Sequence, residues 1–120
     1  MIKIKRIYQE KLSSDGIRIL VDRLWPRGIS KERAQLDHWM KDVAPSAGLR
    51  QWYHRHRNQF AAFKEAYEKE LEHDQEKKKA LEQLAQLGQA QTVTLLSAAK
   101  HVEVSHVPIL QAFLQNPFNM

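Results

Sequence analysis

Residues 15–28 read Asp15-Gly16-Ile17-Arg18-Ile19-Leu20-Val21-Asp22-Arg23-Leu24-Trp25-Pro26-Arg27-Gly28, and the reading of this stretch decides the fold. Ser13-Ser14-Asp15-Gly16 is a turn cluster. Beyond it, Ile17, Ile19 and Val21 alternate with Arg18, Leu20 and Asp22, so the two sets face opposite ways. A β-branched run of this kind predicts an inner strand over 17–22, ended by Pro26 and Gly28. Upstream, Ile2 and Ile4 alternate with Lys3 and Lys5, which predicts a strand near 2–7 with one buried face. Far downstream, Thr92 to Leu96 is β-branched and apolar, a third and fully buried strand.

Between the second and third strands the apolar period changes from two to that of a helix. Ser30 caps a helix predicted over about 31–42, with Leu36, Trp39 and Met40 as its apolar stripe. Pro45-Ser46 breaks it and caps the next, where Leu49, Trp52, Tyr53 and His56 share one face. Phe60, Phe63, Tyr67 and Leu71 continue at helical spacing. Leu81, Leu84 and Leu87 form a further stripe, stopped by Gly88. Ser105 or His106 opens a last helix with Pro108 in its first turn and Ile109, Leu110, Phe113 and Leu114 buried. The expected architecture is α/β: one small domain over 1–120, with a short, mostly parallel sheet of about three strands and at least four helices. A mostly helical crossover of about 70 residues makes strands 17–22 and 92–96 parallel neighbours.

Composition limits the classes of function. A chain of 120 residues with 42% hydrophobic and 28% charged residues is long enough for one core and is an ordinary globule. Cysteine is absent, which removes disulfides, thiolate metal sites and cysteine nucleophiles. The run Ile19-Leu20-Val21 is far too short to span a membrane, and the N-terminus lacks a secretory pattern, so a cytoplasmic setting is expected. Residues 1–57 carry 13 Lys and Arg against 6 Asp and Glu, while residues 58–120 carry 6 against 8. A basic half of this kind attracts anions.

In open α/β sheets ligands sit beyond the carboxyl ends of the parallel strands. That rule selects Asp22 to Gly28 and Ser97-Ala98-Ala99-Lys100. Arg23 and Arg27 each offer a planar fork for phosphate or carboxylate, and Lys100 adds a third cation. Trp25 offers a flat wall, and His106, near a helix start, is a further donor. Asp22 is the one carboxylate of the group, a candidate acid–base residue. The expected ligand is a small anion bound by Arg23, Trp25, Arg27, Lys100 and His106. The competing reading is structural: Asp22 pairs an arginine while Trp25 plugs the end of the sheet.

Other chemistries find little support. His54 and His56 face apart on a helix, and His101 and His106 are also badly spaced, so no metal is expected. No P-loop or dinucleotide glycine fingerprint is present, and no cofactor is expected. Ser97 lacks a nucleophile elbow. A second function class remains, a non-catalytic module whose basic N-terminal half touches nucleic acid, weakly, or an acidic protein.

The same residues carry a resemblance. The run from Asp15 to Gly28 resembles the opening signature of the YeaO-like domains, a bacterial family of unknown function. The likeness extends through Trp39, Lys41, Ala44-Pro45-Ser46, Leu49-Arg50 and Trp52-Tyr53-His54. It continues through Phe63, Tyr67, Glu70-Leu71, Thr94-Leu95-Leu96, Ala99-Lys100 and His106. Ser97 and Ser105 depart from it, standing where such domains commonly have an aromatic residue and an asparagine. The resemblance implies a small cytoplasmic α/β domain and no particular reaction.

Overall fold

The computed structural model describes residues 1–115. Four strands, β1 (Ile2–Arg6), β2 (Ile17–Leu20), β3 (His38–Trp39) and β4 (Val93–Ser97), form one sheet in the order β1-β4-β2-β3. Every pairing is parallel, with Ile4 opposite Leu95 and Ile19 opposite the same residue. Central β4 is buried throughout, as its unbroken apolar character requires of a strand covered on both faces. β1 and β2 flank it, so the short connection 7–16 must pass across β4. Gly16 makes that passage feasible. Its φ is +67°, and a Cβ there would lie 2.2 Å from the carbonyl oxygen of Thr92.

The alternation of the second strand sorts its residues as the sequence suggests. Ile19 and Val21 enter the main core with Val93 and Leu95, beneath α2 (Ala47–Arg55), α3 (Phe60–His73), α4 (Gln75–Ala90) and α5 (His106–Gln115). Leu20 and Leu96 enter a smaller cluster with Ile7, Ile29 and Ala34 on the opposite face. Arg18 lies on that thinner side and is 1% exposed. Its guanidinium donates to Asp15 at 2.6 Å, to the Ala34 carbonyl at 2.8 Å and to the Gln35 carbonyl at 3.1 Å. Asp15 also receives Lys5 Nζ and the Leu12 amide. Burial alone pushes the Asp15 carboxyl up, but the Leu12 amide and the Lys5 and Arg18 cations hold it below its ordinary value.

The structure corrects the expected helix over 31–42. α1 covers only Lys31–Ala34, and Gln35 ends it in the left-handed region with φ +49°. The chain then runs along the open edge of β2: the Asp37 amide donates to Arg18 O, and its carboxylate accepts from Arg18 N. His38–Trp39 thereby becomes the fourth strand. Pairing with an exposed strand edge and the capture of two helix-end carbonyls by Arg18 override a helical apolar period. Gly88 likewise does not stop a helix; α4 continues to Ala90. A Cβ on Gly88 would lie 2.5 Å from Ile2 Cδ1, so the glycine lets α4 approach the first strand.

Removing one partner of a buried pair leaves the other charge uncompensated. Arg18→Met should therefore cost about 3–5 kcal/mol in urea denaturation. Lys69→Ala, which breaks only the exposed pair with Glu65, should cost less than about 0.5 kcal/mol. Equal losses would show that the Asp15–Arg18 pair does not organise the fold.

Candidate functional site

At the carboxyl ends of β2 and β4 the backbone leaves the sheet in two directions and opens a cleft of about 460 Å³. That volume suits a small molecule. Asp22, Arg23, Trp25, Arg27, Lys100 and His106 all line it, so the six residues singled out in the sequence share one concavity. Their individual roles differ.

Asp22 ties the two strand ends together. One carboxylate oxygen accepts the Ser97 hydroxyl at 2.7 Å, and the other accepts the Ala98 amide at 2.8 Å. The Ser97 hydroxyl oxygen in turn accepts the Ala99 amide. Among the described residues no arginine pairs with Asp22, and the buried arginine pair is Arg18 with Asp15. His106 approaches Asp22 from α5, its Nε2 lying 3.6 Å from the carboxylate and 2.9 Å from the Val21 carbonyl oxygen. A carbonyl only accepts, so Nε2 carries the proton and donates to Val21. Burial pushes the imidazole below its ordinary value, against the opposing pull of Asp22 and the Val21 carbonyl. His106 therefore stands neutral at pH 7, with its Nε2–H engaged by the protein. Beside it, Tyr67 is buried, its hydroxyl held far above its ordinary range by desolvation and donating to Val43 O.

Trp25 lies half-buried, edge-on to Trp39 at 5.4 Å, and donates its indole N–H to Ile29 O. Trp39 donates in the same way to the Asp22 carbonyl at 2.7 Å. The pair closes the end of the thinner face and fixes the loop. Arg23 donates through Nε to Pro45 O at 3.2 Å, and its two terminal nitrogens have no partner among the described residues. Arg27 and Lys100 are exposed at the mouth.

Sequence reading missed a further wall. Arg50 and His54 of α2, and Arg57 just beyond it, also line the cleft. The spacing of Arg50 and His54 puts both on one helical face, and that periodicity was the available signal, whereas Arg57 lies in the turn that follows α2. Arg57 donates to His54 Nδ1 at 3.1 Å, so His54 orients the guanidinium without neutralising it. Five Lys and Arg side chains thus line the cleft, and none forms an ion pair with any described residue. Among the described residues no three His, Asp or Glu side chains gather as a metal site, and no helix is long and apolar enough to cross a membrane.

A family model described as the inactive DUF488-N3 subclade matches residues 1–120. The chain is 43% identical to the uncharacterized protein YeaO of Escherichia coli, covering 96% of this chain and 97% of that protein. It is 41% identical to an uncharacterized protein of Mycobacterium tuberculosis, covering 94% of this chain and 92% of that one. No solved structure gives a significant match.

The neutral state of His106 has a consequence for stability. The unfolded chain binds a proton at this histidine below about pH 6.5, whereas the folded chain, with its imidazole depressed, does so only at lower pH. The contribution is complete above that value and is lost as pH falls towards the folded one. Urea denaturation between pH 7.5 and 5 should show stability falling with acidification, and His106→Gln should flatten that slope. An unchanged slope in the variant would mean that His106 is not buried as a neutral group.

Proposed function

The chain belongs to the YeaO-like family, whose matching model is described as the inactive DUF488-N3 subclade, and on that premise we propose that it binds a small phosphate- or carboxylate-bearing ligand without turning it over. The observation that carries this reading is the imbalance of charge in the cleft. Five unpaired cationic side chains face a single carboxylate. An anion is the complement of such a site.

The hydrogen bonds of Asp22 favour a shaping role. Each Asp22 oxygen accepts one short hydrogen bond, from the Ser97 hydroxyl or the Ala98 amide, which holds the carboxylate against the loop 97–100 and leaves each oxygen one further acceptor site. Asp22 is read here as the residue that shapes the loop 97–100, and Arg23, Arg27 and Lys100 as the groups that contact the ligand. Trp25 and His106 complete the walls. The word inactive in the description of the family model agrees with this assignment.

The alternative, a basic N-terminal half laid on nucleic acid, loses support from the fate of its charges. Arg18 is buried, Lys5 pairs with Asp15, and Lys3 donates to Ser14 O. Arg6 donates to Ala99 O and lies over the Tyr8 ring. These side chains hold the fold together and do not form an open stripe.

Calorimetric titration with inorganic phosphate separates the roles. Arg27→Ala should cost about 1.5–3 kcal/mol of binding and under about 0.5 kcal/mol of stability. Asp22→Asn should instead lower stability by about 1–3 kcal/mol, because its amide would face two donors. Undetectable phosphate binding by the unmodified protein, or a loss of stability without loss of affinity in Arg27→Ala, would overturn the reading. Any residual binding to random oligonucleotides should fall steeply between low and physiological salt.

A further inference from the structure

The cations of the cleft come from two different parts of the chain. Arg23, Arg27 and Lys100 leave the carboxyl ends of β2 and β4, whereas Arg50 and Arg57 come from α2 and its end. Each group contains one guanidinium oriented by a neutral acceptor. Pro45 O holds Arg23 through Nε, and His54 Nδ1 holds Arg57 through a terminal nitrogen. In both cases the guanidinium has an uncharged hydrogen-bond partner and no carboxylate partner among the described residues.

Resting on the anion-binding reading above, we infer that the cleft is built for a ligand with two linked phosphate groups, one met at the strand ends and the other at α2. Charge and geometry agree on this class. Counting Asp22, the five cations leave a balance of four positive charges. A phosphate monoester carries about 1.5–2 negative charges and three acceptor oxygens; a second phosphoryl linked to it adds about one more charge and two more oxygens, so two linked groups come closer to the excess than one does. A carboxylate brings one charge and two oxygens, and a dicarboxylate leaves half of the excess unbalanced. Guanidinium forks are suited to several oxygens on one phosphorus, with two parallel bonds to each. The apolar rim gives room for whatever the diphosphate is esterified to. Leu24 is 59% exposed and Val104 43% exposed, and both line the same cleft.

The experiment compares inorganic phosphate, inorganic pyrophosphate and malonate by calorimetric titration of the full chain at fixed ionic strength. Pyrophosphate should bind at least about ten-fold more tightly than phosphate, and malonate more weakly than pyrophosphate. Arg50→Ala/Arg57→Ala should reduce the advantage of pyrophosphate to within about three-fold while changing phosphate affinity little. Arg27→Ala should weaken both phosphate ligands together. Phosphate binding with no preference for pyrophosphate would overturn the two-centre inference and leave the anion site standing. A preference that survives the double substitution would overturn it as well, since overall charge would then be its source. Malonate as tight as pyrophosphate would assign the site to carboxylates. Binding of none of the three would remove the anion site itself. Melting temperatures of the variants, all at exposed positions, check that the fold is retained.

Discussion

The buried guanidinium of Arg18 is the interaction on which the arrangement of the sheet depends. A charged group that is 1% exposed survives only if its donors are matched. Here they are matched by one carboxylate and two carbonyls drawn from separate segments. Asp15 brings in the turn before β2 and, through Lys5, the first strand. Ala34 and Gln35 bring in the end of α1, which turns the chain into β3. Such a pair adds little net stability compared with apolar packing, but it makes alternative arrangements expensive, because each would strand a charge. On the face opposite the helices, where the apolar cluster is small, this specificity fixes how the strands meet.

Once the strands are fixed, their carboxyl ends are fixed too. Asp22 then joins the end of β2 to that of β4 through Ser97 and Ala98, and Trp39 holds the Asp22 carbonyl from the third strand. The polar groups nearest the sheet thus satisfy one another. Those further out, the guanidinium and ammonium ends lining the cleft, do not. On the anion-binding proposal, this division separates the shaping of the cleft from its contacts with a ligand. It also divides the cations of the protein into two populations, those bound within the fold, such as Lys5 and Arg18, and those facing the cleft.

The sequence disclosed the first part of this arrangement through period and topology. Alternation at Ile17–Asp22 and the buried run Thr92–Leu96 define two strands, and the crossover makes them parallel, which points to the residues just beyond them. The strand β3, at the edge of the sheet beside β2, was hidden. Leu36, Trp39 and Met40 carry a helical period, and nothing local reveals that Gln35 will adopt φ +49° or that Arg18 will capture the carbonyls of the short helix. The second wall of the cleft was hidden for a related reason. On α2 the apolar face of Leu49, Trp52, Tyr53 and His56 drew attention, which leaves Arg50 and His54 to be read as solvated. Only the placement of α2 beside the strand ends puts that exposed polar face on the wall of the cleft. The buried roles of Asp15 and Arg18 were equally unreadable, since a turn aspartate and a strand arginine are usually exposed.

A concave site changes the physics of the same charges. Cations spread over an open face act through water and mobile ions, whose screening length is about 8 Å at physiological ionic strength. The cleft cations share walls made of Pro26, Ala44, Pro45 and Phe63, which exclude solvent from part of the space between them. Field lines concentrate in such a recess, and attraction for an anion is strengthened relative to an open patch. The cost is mutual repulsion among five like charges in the empty protein. Arg23 and Arg57 bear that repulsion while donating to Pro45 O and His54, uncharged partners that do not relieve it. Under the proposed anion binding, neutral acceptors in place of carboxylates leave the compensation to a ligand, and the fold, anchored elsewhere by Arg18 and Asp15, does not require these cations to be compensated internally.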